Sequence, residues 1–296
     1  MANFDTTSNR PSPLALTADA LAVPGISVEG NEAKARRRRR RLGPGERIPY
    51  GQFLGPTLLI LLWVGLSAGN VLDSRIVPAP WTVLETAERL WSSGRLPDDI
   101  LSSLGRAVRG FGIGLTIGIA LAIVSGLTRI GEALIDGPVQ IKRGIPNLGL
   151  IPLFILWLGI GEEFKVAIIA LGVFVPIYIN THAALSGIDN RYVELAESVR
   201  LSRWQFVRHV VIPGALPGFF IGLRLAVVGS WLSLIVIEQI NATSGLGYMM
   251  FRAQNYGQTE VIFVGLLIYA VFGFVSNEVV RFTERKVLSW QRTLTS

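Results

Sequence analysis

The sequence predicts an all-α integral membrane protein with about six transmembrane helices. Two observations predict it. Half of the 296 residues are hydrophobic and only 17% are charged. The apolar residues fall in long uninterrupted runs, where a soluble core would give the short periodic stripes of amphipathic elements. A third observation, the placement of lysine and arginine, orients the spans.

Six segments reach the roughly 20 residues that a hydrocarbon core of about 30 Å requires. The first, 53–69, lies in a stretch with no charge between Arg47 and Asp73. The second is 106–127, uncharged after Arg109, and the third, 132–158, is interrupted at Gly144-Ile145-Pro146. The fourth is 164–186 with Pro176 inside, the fifth 216–237 with Arg224 inside, and the sixth 261–280. With the N-terminus inside, segments 1–52, 128–131, 187–215 and 281–296 carry nine, one, four and four Lys or Arg, against seven in outer segments. That bias places both termini and the 187–215 loop in the cytoplasm.

Residues 1–48 are too polar to offset their ordering entropy and are expected to form a disordered basic tail, with 49–296 as the membrane domain. No cleavable signal is expected at this start, because its first apolar run comes after the tail. Arg36 to Arg41 form a run of six arginines just before the first span. That position favours a clamp on anionic lipid headgroups over a nucleic-acid arm, so membrane lipid is an expected partner and nucleic acid is not. The net charge of +7 is therefore topological. The absence of Cys and the presence of only two His argue against disulfides, thiolate metal sites and a His-rich metal centre.

Between the first two spans, Pro78-Ala79-Pro80 and a segment bounded by Trp81 and Trp91 predict a short interfacial helix. The C-terminal FTERKVLSWQR predicts a second one on the inner surface. In the second span Gly110, Gly114, Gly118, Ala122 and Gly126 recur every four residues, a small-residue face that lets another helix, in this chain or a second copy, approach closely.

The loop RYVELAESVRLSRWQFVRHVVIPGALPGFFIGL is the most informative segment. Asp189 and Asn190 are N-cap candidates for a helix at 191–199, and Ser202 with Gln205 makes a capping box for a second at 202–211. Pro213 then fixes the backbone before the fifth span. Paired capping marks an ordered element with an acidic-apolar face (Val193, Glu194, Ala196, Glu197) and a basic-apolar face (Arg203, Phe206, Arg208, Val210).

This segment resembles the EAA motif of permease subunits of ABC-type importers, whose coupling helices fit a groove on an ATPase. Glu194 and Ala196 match the motif's opening, Phe206 and Val210 its apolar contacts, and Pro213 and Pro217 its end. Glu197, Arg200 and Ser202 fall within it, with Arg200 where the family has Gly. Either the turn at Arg200 is right-handed, or the Arg replaces glycine geometry with a charge contact. Further stretches, including RIVPAPWTVL, KRGIPNLGLIPLFILWLGIGEEF and GSWLSLIVIEQINATSGLGYM, are similar to aliphatic sulfonate permeases, with taurine, nitrate and bicarbonate permeases close behind; the similarity spans about 50–290.

The resemblance implies a type I importer permease fold in a bacterial inner membrane, with coupling helices at about 191–211. It implies a pair of ATP-binding subunits carrying ATP and magnesium, a periplasmic or extracellular solute-binding protein, a second permease copy, and no cofactor in this chain. It implies a path lined by core spans, with Arg143, Pro146, Arg224, Trp231 and Glu238 as candidates. Arg143 and Arg224 could make that path attractive to a sulfonate, or could cap carbonyls and snorkel. Glu238 could face the outer gate or the docked binding protein, or pair with Arg252. His182 reads as a packing residue.

No GxxxxGK[ST] loop occurs, so the sequence argues against ATP hydrolysis by this chain. An ion-gradient-driven transporter would need acidic residues buried in mid-span, and a membrane-embedded enzyme a cluster of His, Asp or Glu; neither pattern is present.

Overall fold

The computed structural model describes residues 51–290, and every regular element in that range is helical. The predicted tail at 1–48, with its arginine run, lies outside the described residues. The chain divides into two units, 1–60 and 61–296. The described part of the first is the opening of α1 (Gly51–Ala68), an apolar stretch carrying Leu54, Leu58 and Leu59.

The second unit holds the bundle. α2 (Pro80–Ser92) is the predicted amphipathic helix: Val83, Thr86 and Leu90 are buried, while Trp81 and Trp91 are exposed. α3 (Arg95–Leu127) is followed by α4 (Arg129–Arg143), a 3₁₀ turn (Asn147–Leu150) and α5 (Ile151–Leu158). Then come α6 (Glu162–Ser186), α7 (Asn190–Ser198), α8 (Arg203–Phe206), a π turn (Val207–Val211) and α9 (Ile212–Asn241). α10 (Leu246–Asn255) and α11 (Thr259–Val287) complete the chain.

α6 is the centre, packed between α3 and α9. The small-residue ladder faces it: a Cβ on Gly110 would lie 2.6 Å from Ile169 Cβ, one on Gly114 2.3 Å from the Ala170 carbonyl, and one on Gly126 2.8 Å from Leu185 Cβ. The ladder's partner is therefore a helix of the same chain. The opposite side of α6 is equally tight, since a Cβ on Gly222 would meet the Pro176 carbonyl at 2.8 Å and one on Gly229 the Gly172 carbonyl at 3.1 Å.

These registers fix direction. Numbers rise together along α3 and α6 and oppose each other along α6 and α9, so α3 and α6 are parallel and α9 is antiparallel to both. Contacts of Tyr269 with Glu238, Ser276 with Trp231, and Glu284 with Arg224 make α11 antiparallel to α9. Two parallel neighbours require the chain to return between them over the length of α6, about 37 Å at 1.5 Å per residue. The return is the third predicted segment. α4 and the 147–158 stretch meet at a 96° bend after Gly144-Ile145-Pro146. Asn147 lies beside Gly172, and Ile151 joins Phe164 and Ala107 in one core cluster, so the segment climbs from the Leu127 end to the Arg95 end as a broken span.

Among the described residues four helices are long and apolar enough to cross a membrane, the broken segment makes a fifth, and α1 is shorter, so all six predicted segments are present, the third broken at its predicted interruption. Two expectations need correction. The second loop helix and the fifth span are one continuous helix over Arg203–Ile240. Pro213 and Pro217 do not interrupt it because the π turn widens the backbone just before them, with Ile212 N–H donating to the Val207 carbonyl five residues back. Finally, the predicted C-terminal surface helix is, through Val287, a continuation of α11.

Gly114→Val is expected to lower the midpoint of thermal unfolding in detergent, since the backbones must separate at a cost of about 1–3 kcal/mol. Gly112→Ala, where an added Cβ meets nothing within 4 Å, is expected to leave it unchanged. Equal effects would refute the same-chain packing of this ladder.

Candidate functional site

The 187–211 elbow is built locally. Asp189 caps α7 by accepting from Arg191 N–H at 2.9 Å, and the capping box at α8 is complete: Ser202 Oγ accepts from Gln205 N–H at 3.3 Å and Ser202 N–H donates to Gln205 Oε1 at 2.9 Å. Between the two, Arg200 has φ +52°, in the left-handed region. Arg200 N–H donates to the Glu197 carbonyl and Leu201 N–H to the Ala196 carbonyl, the paired bonds of a Schellman turn. Neither alternative at Arg200 holds: the turn is left-handed, and among the described residues no charge contact replaces the glycine geometry. The chain keeps the glycine geometry and carries the strain of a Cβ there, about 1–2 kcal/mol.

The elbow's faces differ from expectation. Glu194, Glu197, Arg200 and Ser202 are exposed, but Ala196 is buried. Phe206 turns inward onto Leu185, Val211 and Ala215, and with half-buried Val210 and Pro213 it belongs to the elbow's own footing. The exposed apolar side chains of the elbow are Tyr192, Val193, Leu195, Val199, Leu201 and Trp204. So many on one short, capped segment is what soluble surfaces avoid unless a partner covers them.

At the other end of the bundle lies a buried ionic cluster. Arg106 clasps Glu162 with Nε and Nη2 at 2.7 and 2.9 Å, and reaches Glu238 with Nη1 at 2.7 Å. Lys165 donates to Glu162 at 2.9 Å. Glu238 is fully buried and also accepts from Ser103 at 2.8 Å and from the Tyr269 hydroxyl at 3.2 Å. The same groups capture the start of α10: Gly245 N–H donates to Asp99, Leu246 N–H to Ser103 and Gly247 N–H to Glu238, each at 2.8 Å, while Arg106 donates to the Ser244 carbonyl at 2.7 Å. Residues remote in sequence thus cap the orphan amides of α10, where the helix dipole favours negative charge. Gly245 has φ +115° and a Cβ there would lie 2.4 Å from Glu238 Oε1, so both conformation and space demand glycine.

Glu238 is therefore neither an exposed gate residue nor a partner of Arg252, which sits over the Tyr248 ring. Sequence reasoning missed Arg106, Glu162, Lys165, Asp99 and Ser103. One signal was available: Arg106 lies four residues before Gly110 and so extends the ladder onto the packed face. Arg224 pairs with Glu284, which neutralises it. Trp231 stacks on Phe272 and donates to Ser276, an anchor of α9 to α11. Arg143 and Pro146 are exposed at the break in the third span. His182 packs on the Tyr178 ring with an interplanar angle of 4°.

Arg106→Gln is expected to lower stability by about 3–5 kcal/mol, because it strands Glu238 without its cation, and adding Glu238→Gln is expected to recover part of the loss. Thermal unfolding of the single and double variants reads this; additive losses would deny the coupling. Arg200→Gly is expected to slow amide exchange at Arg200 and Leu201 about fivefold, as relief of about 1 kcal/mol of strain requires; faster exchange would contradict the strained turn.

Comparison with known proteins agrees with this architecture. Residues 114–289 match the family described as binding-protein-dependent transport system inner membrane component. A putative aliphatic sulfonates transport permease protein of Bacillus subtilis (strain 168) is 36% identical over 86% of this chain and 92% of its own length. A protein of the same description in Escherichia coli (strain K12) is 41% identical over 79% of this chain and 89% of its own. Among solved structures, an amino acid ABC transporter crystallised with histidines shares the fold, with a TM-score of 0.55 at 18% identity over 69% of this chain and 96% of that one. With the ladder, the broken span and the capped elbow in place, the chain belongs to the family of binding-protein-dependent transport system inner membrane components, the permease subunits of ABC importers.

Proposed function

We propose that this permease moves an aliphatic sulfonate across the cytoplasmic membrane of a bacterium, and that the 187–211 elbow is where an ATP-binding subunit docks. A permease of this family is a translocation component whose ATP is hydrolysed by separate ATP-binding subunits, and membership removes the ion-gradient alternative. The observation that carries the substrate is that two relatives, more than a third identical across alignments covering most of this chain, are described as putative aliphatic sulfonates transport permease proteins. The observation that supports the docking site is the set of exposed apolar side chains Tyr192, Leu195, Val199, Leu201 and Trp204 on one elbow, held in shape by a side-chain cap, a Schellman turn and a capping box.

In this reading both termini and the elbow are cytoplasmic, as the Lys and Arg bias requires. Two copies of the chain pair around the path, each gripped by one ATP-binding subunit. A solute-binding protein delivers the anion at the Arg106 end. ATP-driven closure draws the elbows together and switches the bundle between inward- and outward-open states, the free energy entering through the elbow. Glu194 and Glu197, exposed on α7, supply charge at the rim of this contact, while Ala196 and Phe206 hold it from beneath.

Deleting the gene from its host is expected to abolish growth on an aliphatic sulfonate as sole sulfur source while sparing growth on sulfate. Trp204→Glu is expected to weaken co-purification of the ATP-binding subunit by about 30-fold or more, the effect of losing an interface hot spot. Growth on sulfonate without the gene and without a second sulfonate importer would reject the substrate; undiminished co-purification would reject the docking site.

A further inference from the structure

Of the described cations that are not exposed, Lys142 alone has no carboxylate partner: Arg106 and Lys165 are matched by Glu162 and Glu238, and Arg281 by Glu278. Lys142 and Arg143 have no carboxylate within ion-pair distance among the described residues. They sit together at the C-terminus of α4, where the third span breaks. The helix terminus offers about half a negative charge, which compensates only part of two cations.

The position of this pair is the second observation. Lys142 Nζ donates across the break to Asn147 Oδ1. Asn147 in turn is fixed at mid-depth. A Cβ on Gly172, near the middle of α6, would lie 3.3 Å from Asn147 Nδ2 and 2.8 Å from Ser233 Oγ of α9. Lys142 is half-buried, and Arg143, Gly144, Ile145 and Pro146 are exposed. An interrupted backbone and unbalanced charge at this depth are tolerated only where water or protein covers them. Arg224, by contrast, lies level with Pro176, inward of Gly172, and is already paired.

We propose that Lys142, with Arg143 and Asn147, forms the point at which the translocation path contacts the anionic group of the solute. The inference rests on the reading of this chain as an anion permease. The Lys142 ammonium keeps two protons after its bond to Asn147, and Asn147 keeps its amide donors, a set suited to the three oxygens of a sulfonate or a similar oxyanion. Uncompensated charge is what such a site needs: were the lysine locked to a carboxylate, that carboxylate would repel the anion about as much as the lysine attracts it. Lys142 is thus a specificity-determining residue, selecting charge, while Asn147 holds its head group at the break.

The chain has no cysteine, so a single Ile145→Cys places one thiol at the break. In proteoliposomes holding the complete complex with its ATP-binding subunits, that thiol is treated with the anionic reagent 2-sulfonatoethyl methanethiosulfonate and the cationic 2-(trimethylammonium)ethyl methanethiosulfonate, each rate divided by its rate with a free thiol. The anionic reagent is expected to be favoured about tenfold or more, as an unbalanced positive site concentrates anions by that order. The preference is expected to be lost in Lys142→Gln and kept in Lys142→Arg. No reaction with either reagent, equal normalised rates, or a preference unchanged by Lys142→Gln would overturn the proposal. Protection by an aliphatic sulfonate, set against protection by nitrate or bicarbonate, reads the substrate separately: anion preference without sulfonate protection keeps this site and rejects the sulfonate.

Discussion

The close approach of three backbones, α3 and α9 on either side of α6, is the constraint on which the rest of the structure depends. Glycines at Gly110, Gly114 and Gly118 on one side and Gly218, Gly222 and Gly229 on the other leave room for carbonyls and β-carbons of the neighbouring helix. In lipid, where apolar side chains gain little by meeting each other, such contact is a principal source of helix association. Because α3 and α6 run parallel, the intervening chain must cross between them, and the broken third segment follows from that geometry. Topology demands the crossing, and the sequence Gly144-Ile145-Pro146 is where that crossing breaks.

The ionic cluster of Arg106, Glu162, Lys165 and Glu238 ties the same helices at one end. Buried ion pairs seldom add much net stability, but removing one member is costly, so they specify an arrangement more than they strengthen it. Here the arrangement includes the start of α10, whose first amides are held by Asp99, Ser103 and Glu238. At the opposite end the elbow is ordered by short-range capping. One end of the bundle is fixed by contacts more than 130 residues apart in sequence, the other by contacts within a few residues.

That difference explains what the sequence made legible. Spans, the α2 helix, the small-residue face, the break at Gly144-Ile145-Pro146 and both caps of the elbow depend on local pattern, and each is found where the pattern puts it. The ionic cluster depends on which helices meet, and no local pattern states that. Glu238 was therefore visible as a residue but not as the partner of Arg106. Arg224 looked like a free charge because Glu284 is 60 residues away. The continuity of α8 into α9 was hidden by two prolines, since a π turn that accommodates them leaves no mark in composition. Ala196 and Phe206 matched the motif by identity, whereas Ala196 is buried and Phe206 turns inward onto Leu185 and Val211 beneath it.

The unbroken run from Arg203 to Ile240 has a mechanical consequence. At 1.5 Å per residue its 38 residues form a lever of about 57 Å, longer than the hydrocarbon core is thick. Its foot is the elbow, its midpoint touches Pro176 through Gly222, and its head carries Glu238 in the ionic cluster. A hinge at Pro213 would have dissipated torque at the membrane surface. With the π turn in its place, a tilt of the foot swings the head in the opposite sense about a glycine fulcrum.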